Sequence, residues 1–144
     1  PLLTEGIRRH FLGDVEAFIR AYFEQQREML GYDFDVLGHP DLVKKFNLKH
    51  PYFDESAPWY LDEIEKTAQA VANAGKIVEV NTGAISRGWM DDAYPSAGFR
   101  AILRERGVRF VLNSDSHAAV TLDCAFDRFS CSEAFIRKLQ FASR

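Results

Sequence analysis

Cysteine is scarce in this 144-residue chain: Cys124 and Cys131 are the only two, and neither belongs to a CxxC pair. Two thiols make no disulfide framework, and a reduced, cytoplasmic protein is the expectation. A charge excess is missing too. Eighteen Lys+Arg face twenty-one Asp+Glu for a formal charge of −3, with no basic block, which argues against nucleic acid as the main partner. No apolar run approaches the ~20 residues that span a bilayer, so no membrane segment is expected. The polar start PLLTEGIRRHFLGD has no continuous apolar stretch of the signal-peptide kind. Repeats, low-complexity tracts and Gly/Ser linkers are absent as well. The first residue is Pro1 and not Met, which suggests a piece of a longer chain.

What is present is apolar. Hydrophobic residues make up 47% of the sequence and aromatics 13%, with twelve Phe, too many for an intrinsically disordered chain. The length fits one domain, residues 1–144, on a prior of roughly 100–200 residues per domain. A globule of this size buries about 68–70% of its unfolded surface, enough for a real core.

Helical and strand patterns alternate. From Asp14 to Leu30, the residues Val15, Phe18, Ile19, Tyr22, Phe23 and Leu30 fall at helical spacing. Asp14 is a natural N-cap there and Gly31 a natural residue to follow the C-terminus. Phe34–His39 (FDVLGH) reads as a short buried strand. A second helix opens at Pro58, where proline is tolerated, carries Trp59, Leu61, Ile64, Ala68, Val71 and Ala72, and ends at Gly75. Lys76–Asn81 (KIVEVN) is the next strand. A helix from about Ser96 to Arg106 stops at Gly107, and Val108–Asp115 (VRFVLNSD) is the third strand. A last helix is expected over Glu133–Phe141, capped by Ser132. The order α-β-α-β-α-β-α implies parallel βαβ crossovers, hence an α/β fold.

In such folds chemistry gathers at the C-terminal ends of the strands, and all three strands end in polar residues. The first runs into Gly38, His39, Pro40 and Asp41. The second passes through Glu79 to Asn81 and then Thr82–Gly88, which includes Arg87. The third ends in Asn113, Ser114, Asp115, Ser116 and His117. Imidazole and carboxylate together suit divalent transition metals. Each residue also has a plainer reading. His39 alone is more often a hydrogen-bonded structural residue than a ligand, Arg87 alone is usually a solvated loop residue, and Asp115-x-His117 is as well explained by a capping turn. Glu79 stands between two valines on a strand, where a buried charge is costly without a partner. His10 and His50 are expected to be exposed.

Taken together, GHPDLVKKF, VEVNTGAISRG, AYPS and FVLNSDSH, in that order, resemble the C-terminal half of histidinol-phosphate phosphatases of the polymerase-and-histidinol-phosphatase (PHP) family. The resemblance runs from about Asp14 to at least His117. It implies a distorted seven-stranded β/α barrel with a multinuclear metal site at its C-terminal mouth. It also implies that His39, Asp115 and His117 are metal ligands and that Arg87 lies in the phosphate-contacting segment, although the family often carries its basic residue one place earlier, where this chain has Ser86. The family's N-terminal HxH is missing, and about three of the seven strands are expected here. The fold expected is therefore a partial PHP-type barrel, completed by a missing N-terminal half or by self-association into a homo-oligomer.

The activity the resemblance implies is metal-dependent hydrolysis of a phosphate monoester, namely histidinol phosphate to histidinol in histidine biosynthesis. Divalent ions (Mn, Zn or Fe) would form the multinuclear site only in the complete barrel. Asp115 is the residue expected to exchange a proton as well as bind metal. The partner is a small phosphorylated substrate, with no nucleic acid and no membrane. Two alternatives stand beside this reading. One is an inactive PHP fragment or interaction module. The other is a PHP-type nuclease or polymerase-associated domain, which fits the metal pieces but not the absence of a basic stripe.

Overall fold

The computed structural model describes residues 2–129. The helix expected over Glu133–Phe141, its cap Ser132, and Cys131 lie outside the described residues. The elements are α1 (Leu2–Phe11), α2 (Val15–Met29), β1 (Val36–Leu37), α3 (Pro58–Ala74), β2 (Ile77–Asn81), α4 (Gly83–Ser86), α5 (Ala97–Glu105) and β3 (Phe110–Asn113), with three short 3-10 turns. The expected alternation of helix and strand holds, and the sheet is parallel with order β1-β2-β3. Val36 pairs with Ile77, and Asn81 pairs with Asn113. Among the described residues no helix is long and apolar enough to cross a membrane.

Helix boundaries follow local chemistry. Asp14 accepts the Ala17 N–H at 2.9 Å and caps α2. Pro58 opens α3, and Gly75 closes it in the left-handed conformation at φ +65°. Ser96 caps α5. Gly31 departs from expectation, because α2 ends through the right-handed Leu30 and needs no left-handed residue. Leu61, expected on the apolar face of α3, is 48% exposed. The helix α1 was not expected. Its Gly6 and its run of charge dilute the pattern, and Ile7 is its buried apolar residue.

The outer strands are shorter than the apolar runs that announced them. β1 stops because His39 takes φ +49° and Pro40 has no N–H to give to a ladder. β3 stops before Asp115, also at φ +49°. Alternation along β2 then separates two faces. Val78 and Val80 pack into one core with Ile19 and Phe23 of α2, Tyr60, Ile64, Ala68 and Val71 of α3, and Phe99 and Leu103 of α5. Edge-to-face rings tie this layer, with Phe23 5.9 Å from Tyr60 and 6.4 Å from Phe99. Ile77, Glu79 and Asn81 alternate with those valines, and the site lies on their side.

Candidate active site at the strand ends

His39, just past β1, is clamped before its ring is considered. Its N–H donates to Glu79 Oε2 at 3.1 Å, and its carbonyl accepts from Tyr22 Oη of α2 at 2.7 Å. These bonds hold a left-handed backbone that a non-glycine residue adopts at a cost. The ring then meets three partners: Nδ1 lies 3.2 Å from Glu79 Oε2, and Nε2 lies 3.2 Å from Asn81 Nδ2 and 3.7 Å from Asp115 Oδ2.

Glu79 is the carboxylate that the sequence marked as costly, and its partners are now visible. Oε2 serves His39, while Oε1 accepts from Asn113 Nδ2. One side chain of the central strand thereby joins the ends of both neighbours. Burial pushes Glu79 upward, but the bonds from His39 and Asn113 outweigh it and hold the carboxyl below its ordinary range. In return the bond to Glu79 raises His39, with Asp115 adding to it against partial desolvation.

Asp115 is the hub of the other half. Its N–H donates to Asn113 Oδ1 at 3.2 Å. Arg87 approaches it twice, Nη1 at 3.2 Å from Oδ2 and Nη2 at 2.7 Å from the carbonyl. Arg87 Nη2 is also 3.2 Å from His117 Nδ1, and His117 Nε2 is 4.0 Å from Asp115 Oδ1. His117 itself is open to solvent, its side chain 79% exposed. Gly83 makes this packing possible. A Cβ there would sit 2.5 Å from Arg87 Nη1 and 3.0 Å from both Asn81 Oδ1 and Asp115 Cβ.

Asp41, quoted with His39 in the same motif, does different work. It is fully buried, 3.5 Å from Lys44 Nζ, and its Oδ2 accepts the Ser96 N–H at 2.8 Å. Burial raises it, and Lys44 and Ser96 offset only part of that. It ties the loop after β1 to the start of α5. His10 and His50 are exposed, as expected.

All four sequence-derived residues therefore meet around Asp115. Asn81 and Asn113 stood in the sequence only as polar strand-end residues and Gly83 was not singled out; the register that sets the two Asn side by side on adjacent strands is visible only in the fold. As donors, His39, Asp115 and His117 are of the right type for a divalent ion. Their arrangement does not close around an ion: the described residues contain no group of three or more His, Cys, Asp or Glu placed to hold a metal, and the Arg87 guanidinium lies against Asp115 and His117.

The fold and site together define an α/β chain with a histidine–carboxylate–arginine cluster at the C-terminal ends of parallel strands. No family model matches the sequence. It is 29% identical over 121 residues to a protein of Schizosaccharomyces pombe named probable histidinol-phosphatase, covering 81% of this chain and 39% of that protein. It is 34% identical over 87 residues to a Deinococcus radiodurans protein of the same name, covering 58% of this chain and 29% of that protein. The chain thus spans well under half the length of these relatives. The shared name supports a histidinol-phosphatase-like kinship.

Proposed function

We propose that this chain is part of a PHP-type phosphoric monoester hydrolase acting on histidinol phosphate in the cytoplasm, and that it carries only part of the active site. The observation that supports this most is the meeting of His39, Arg87, Asp115 and His117 at the strand ends, in a chain similar to two proteins named for that activity. In this reading Arg87 is the phosphate-contacting residue. Its planar fork suits bidentate recognition of phosphate oxygens, and Asp115 and the Trp89 ring, 5.2 Å from its guanidinium carbon, hold it in place. His39, Asp115 and His117 join ligands from outside this chain to hold divalent ions, Mn, Zn or Fe. Such ions supply charge neutralisation and a water of lowered pKa. In the same reading Asp115 exchanges a proton with the attacking water or the leaving alkoxide.

Completion falls to a second copy or to a segment outside these residues, because β1 and β3 are edge strands of a three-stranded parallel sheet, and such edges and faces are normally covered. The test is phosphate release from L-histidinol phosphate with added Mn²⁺. The chain alone should stay near background. Mixed with the portion of a relative that it does not match, it should turn over, and Asp115→Asn should abolish turnover. A mixture that associates stably yet hydrolyses no phosphate monoester would overturn the reading in favour of an interaction module.

A further inference from the structure

His39 has two groups of partners that specify the same proton position. On one side, Nδ1 faces Glu79 Oε2 at 3.2 Å. A carboxylate is an acceptor only, and Asn113, bonded to Oε1, fixes the plane that leaves Oε2 for His39. On the other side, Nε2 faces Asn81 Nδ2 at 3.2 Å. The orientation of that amide is set independently, since Asn81 Oδ1 accepts the Gly83 N–H at 2.9 Å. The end turned to the imidazole is therefore NH₂, which only donates. Asp115 Oδ2 lies farther off, 3.7 Å from Nε2 against 3.2 Å for the Asn81 amide; its charge favours the protonated ring, and in the neutral ring the nearer partners decide the proton position.

We propose that Glu79 and Asn81 are positioning residues that hold the neutral His39 ring as the Nδ1–H tautomer, with the Nε2 lone pair turned to the mouth beside Asp115. This rests on the reading above only in assigning His39 to the site. It adds the role: in this tautomer His39 enters chemistry through Nε2 as an electron-pair donor, a ligand to a cation or an acceptor of a proton, and it has no Nε2 proton to give. A carboxylate on the second nitrogen is the general device for fixing a ligating histidine. Here an amide on the first nitrogen enforces the same choice and would be displaced when Nε2 takes another partner.

The test is long-range ¹H–¹⁵N correlation on the full 144-residue chain labelled at histidine, recorded on the alkaline side of the His39 titration and assigned with His39→Gln. The expected wild-type pattern is a pyrrole-type Nδ1 and a pyridine-type Nε2. Asn81→Asp replaces the donor by an acceptor of the same shape and should move the proton to Nε2, with loss of the pyridine-type Nε2 resonance. Glu79→Gln removes the obligate acceptor and should give a mixture of the two tautomers. A backbone spectrum identifies any variant that fails to fold, and the wild type and the other variant then decide. A wild-type Nε2–H, or a folded Asn81→Asp chain that keeps Nδ1–H alone, would overturn the inference and leave the hydrolase reading intact. A chain with the tautomer in place that hydrolyses nothing when completed would overturn the hydrolase reading alone.

Discussion

Glu63 and Glu79 are buried almost equally, at 4% and 7% exposure, in opposite parts of the molecule. Glu63 sits on α3 between two arginines of α2, with Arg20 at 2.8 Å on Oε1 and Arg27 at 2.8 Å on Oε2. Lys66 of α3 adds a more distant cation at 3.8 Å from Oε1, and the right-handed helical backbone around Glu63 carries no strain. Glu79 has no lysine or arginine partner. It is satisfied by an imidazole, an amide and a backbone N–H, and the residues at the strand ends beside it take left-handed backbone. Burial is common to both, so burial does not separate a structural carboxylate from a site carboxylate; the partners do. A full cation neutralises the charge and ends its chemistry, whereas an imidazole passes it on to a nitrogen that still has a lone pair.

The largest effect should come from breaking the helix layer. Phe23 is fully buried between Tyr60 and Phe99, and Phe23→Ala should cost about 3–5 kcal/mol in urea unfolding. Strand-end variants should cost far less. A loss under about 1 kcal/mol would mean that α2 is peripheral to stability.

Next comes the α2–α3 carboxylate. Glu63→Ala leaves Arg20 and Arg27 without their shared partner, but both retain some exposure. The expected cost is about 2 kcal/mol, below the 3–5 of a fully enclosed pair. The chemical shifts of His39 should not move. If they do, the two regions are coupled and the contrast drawn above fails.

These regions differed in legibility for physical reasons. The helix layer was readable because periodicity reports burial directly: Phe23 and Ile19, or Ile64 and Val71, recur at helical spacing and do pack together. Asp14, Pro58 and Gly75 acted as the punctuation they resembled. The strands were overcalled because apolar content cannot show where a left-handed His39 or Asp115 ends a ladder. At the site, residue type and strand-end position pointed to His39, Arg87, Asp115 and His117. The roles of Asn81 and Gly83 escaped because they depend on distances between segments, and one sequence carries no distance.

A smaller and more local effect is expected at Gly83. A methyl group there meets Arg87 Nη1 at 2.5 Å and two further site atoms at 3.0 Å. Arg87 can swing away, so Gly83→Ala should cost about 1–2 kcal/mol in stability. Its main consequence should be loss of the Arg87–Asp115 pairing. Chemical shifts of the Arg87 guanidinium report this, and under the proposed function KM for a phosphate monoester should rise. A variant with unchanged Arg87 resonances would show that the turn has slack the structure does not suggest.

The smallest effect is a pH dependence, and it divides the two regions most sharply. His39 is raised above its ordinary value of 6.5, first by Glu79. A raised imidazole contributes stability that is fully present below the unfolded value and is lost as pH rises through the folded one. Glu79 is lowered below its ordinary 4.5, so its contribution is present above that value and is lost as pH falls through the folded one. The pair therefore helps most between about 4.5 and 6.5, and solvent access to His39 keeps the contribution under about 1 kcal/mol. Compared with wild type, His39→Gln should lose most stability near pH 6 and progressively less as pH rises through the folded His39 value. Phe23→Leu, a change confined to the helix layer, should run parallel to wild type over the same range. A His39→Gln deficit that is flat, or that grows toward alkaline pH, would mean that Glu79 does not stabilise the imidazolium and that the resemblance between the two buried glutamates is closer than their partners imply.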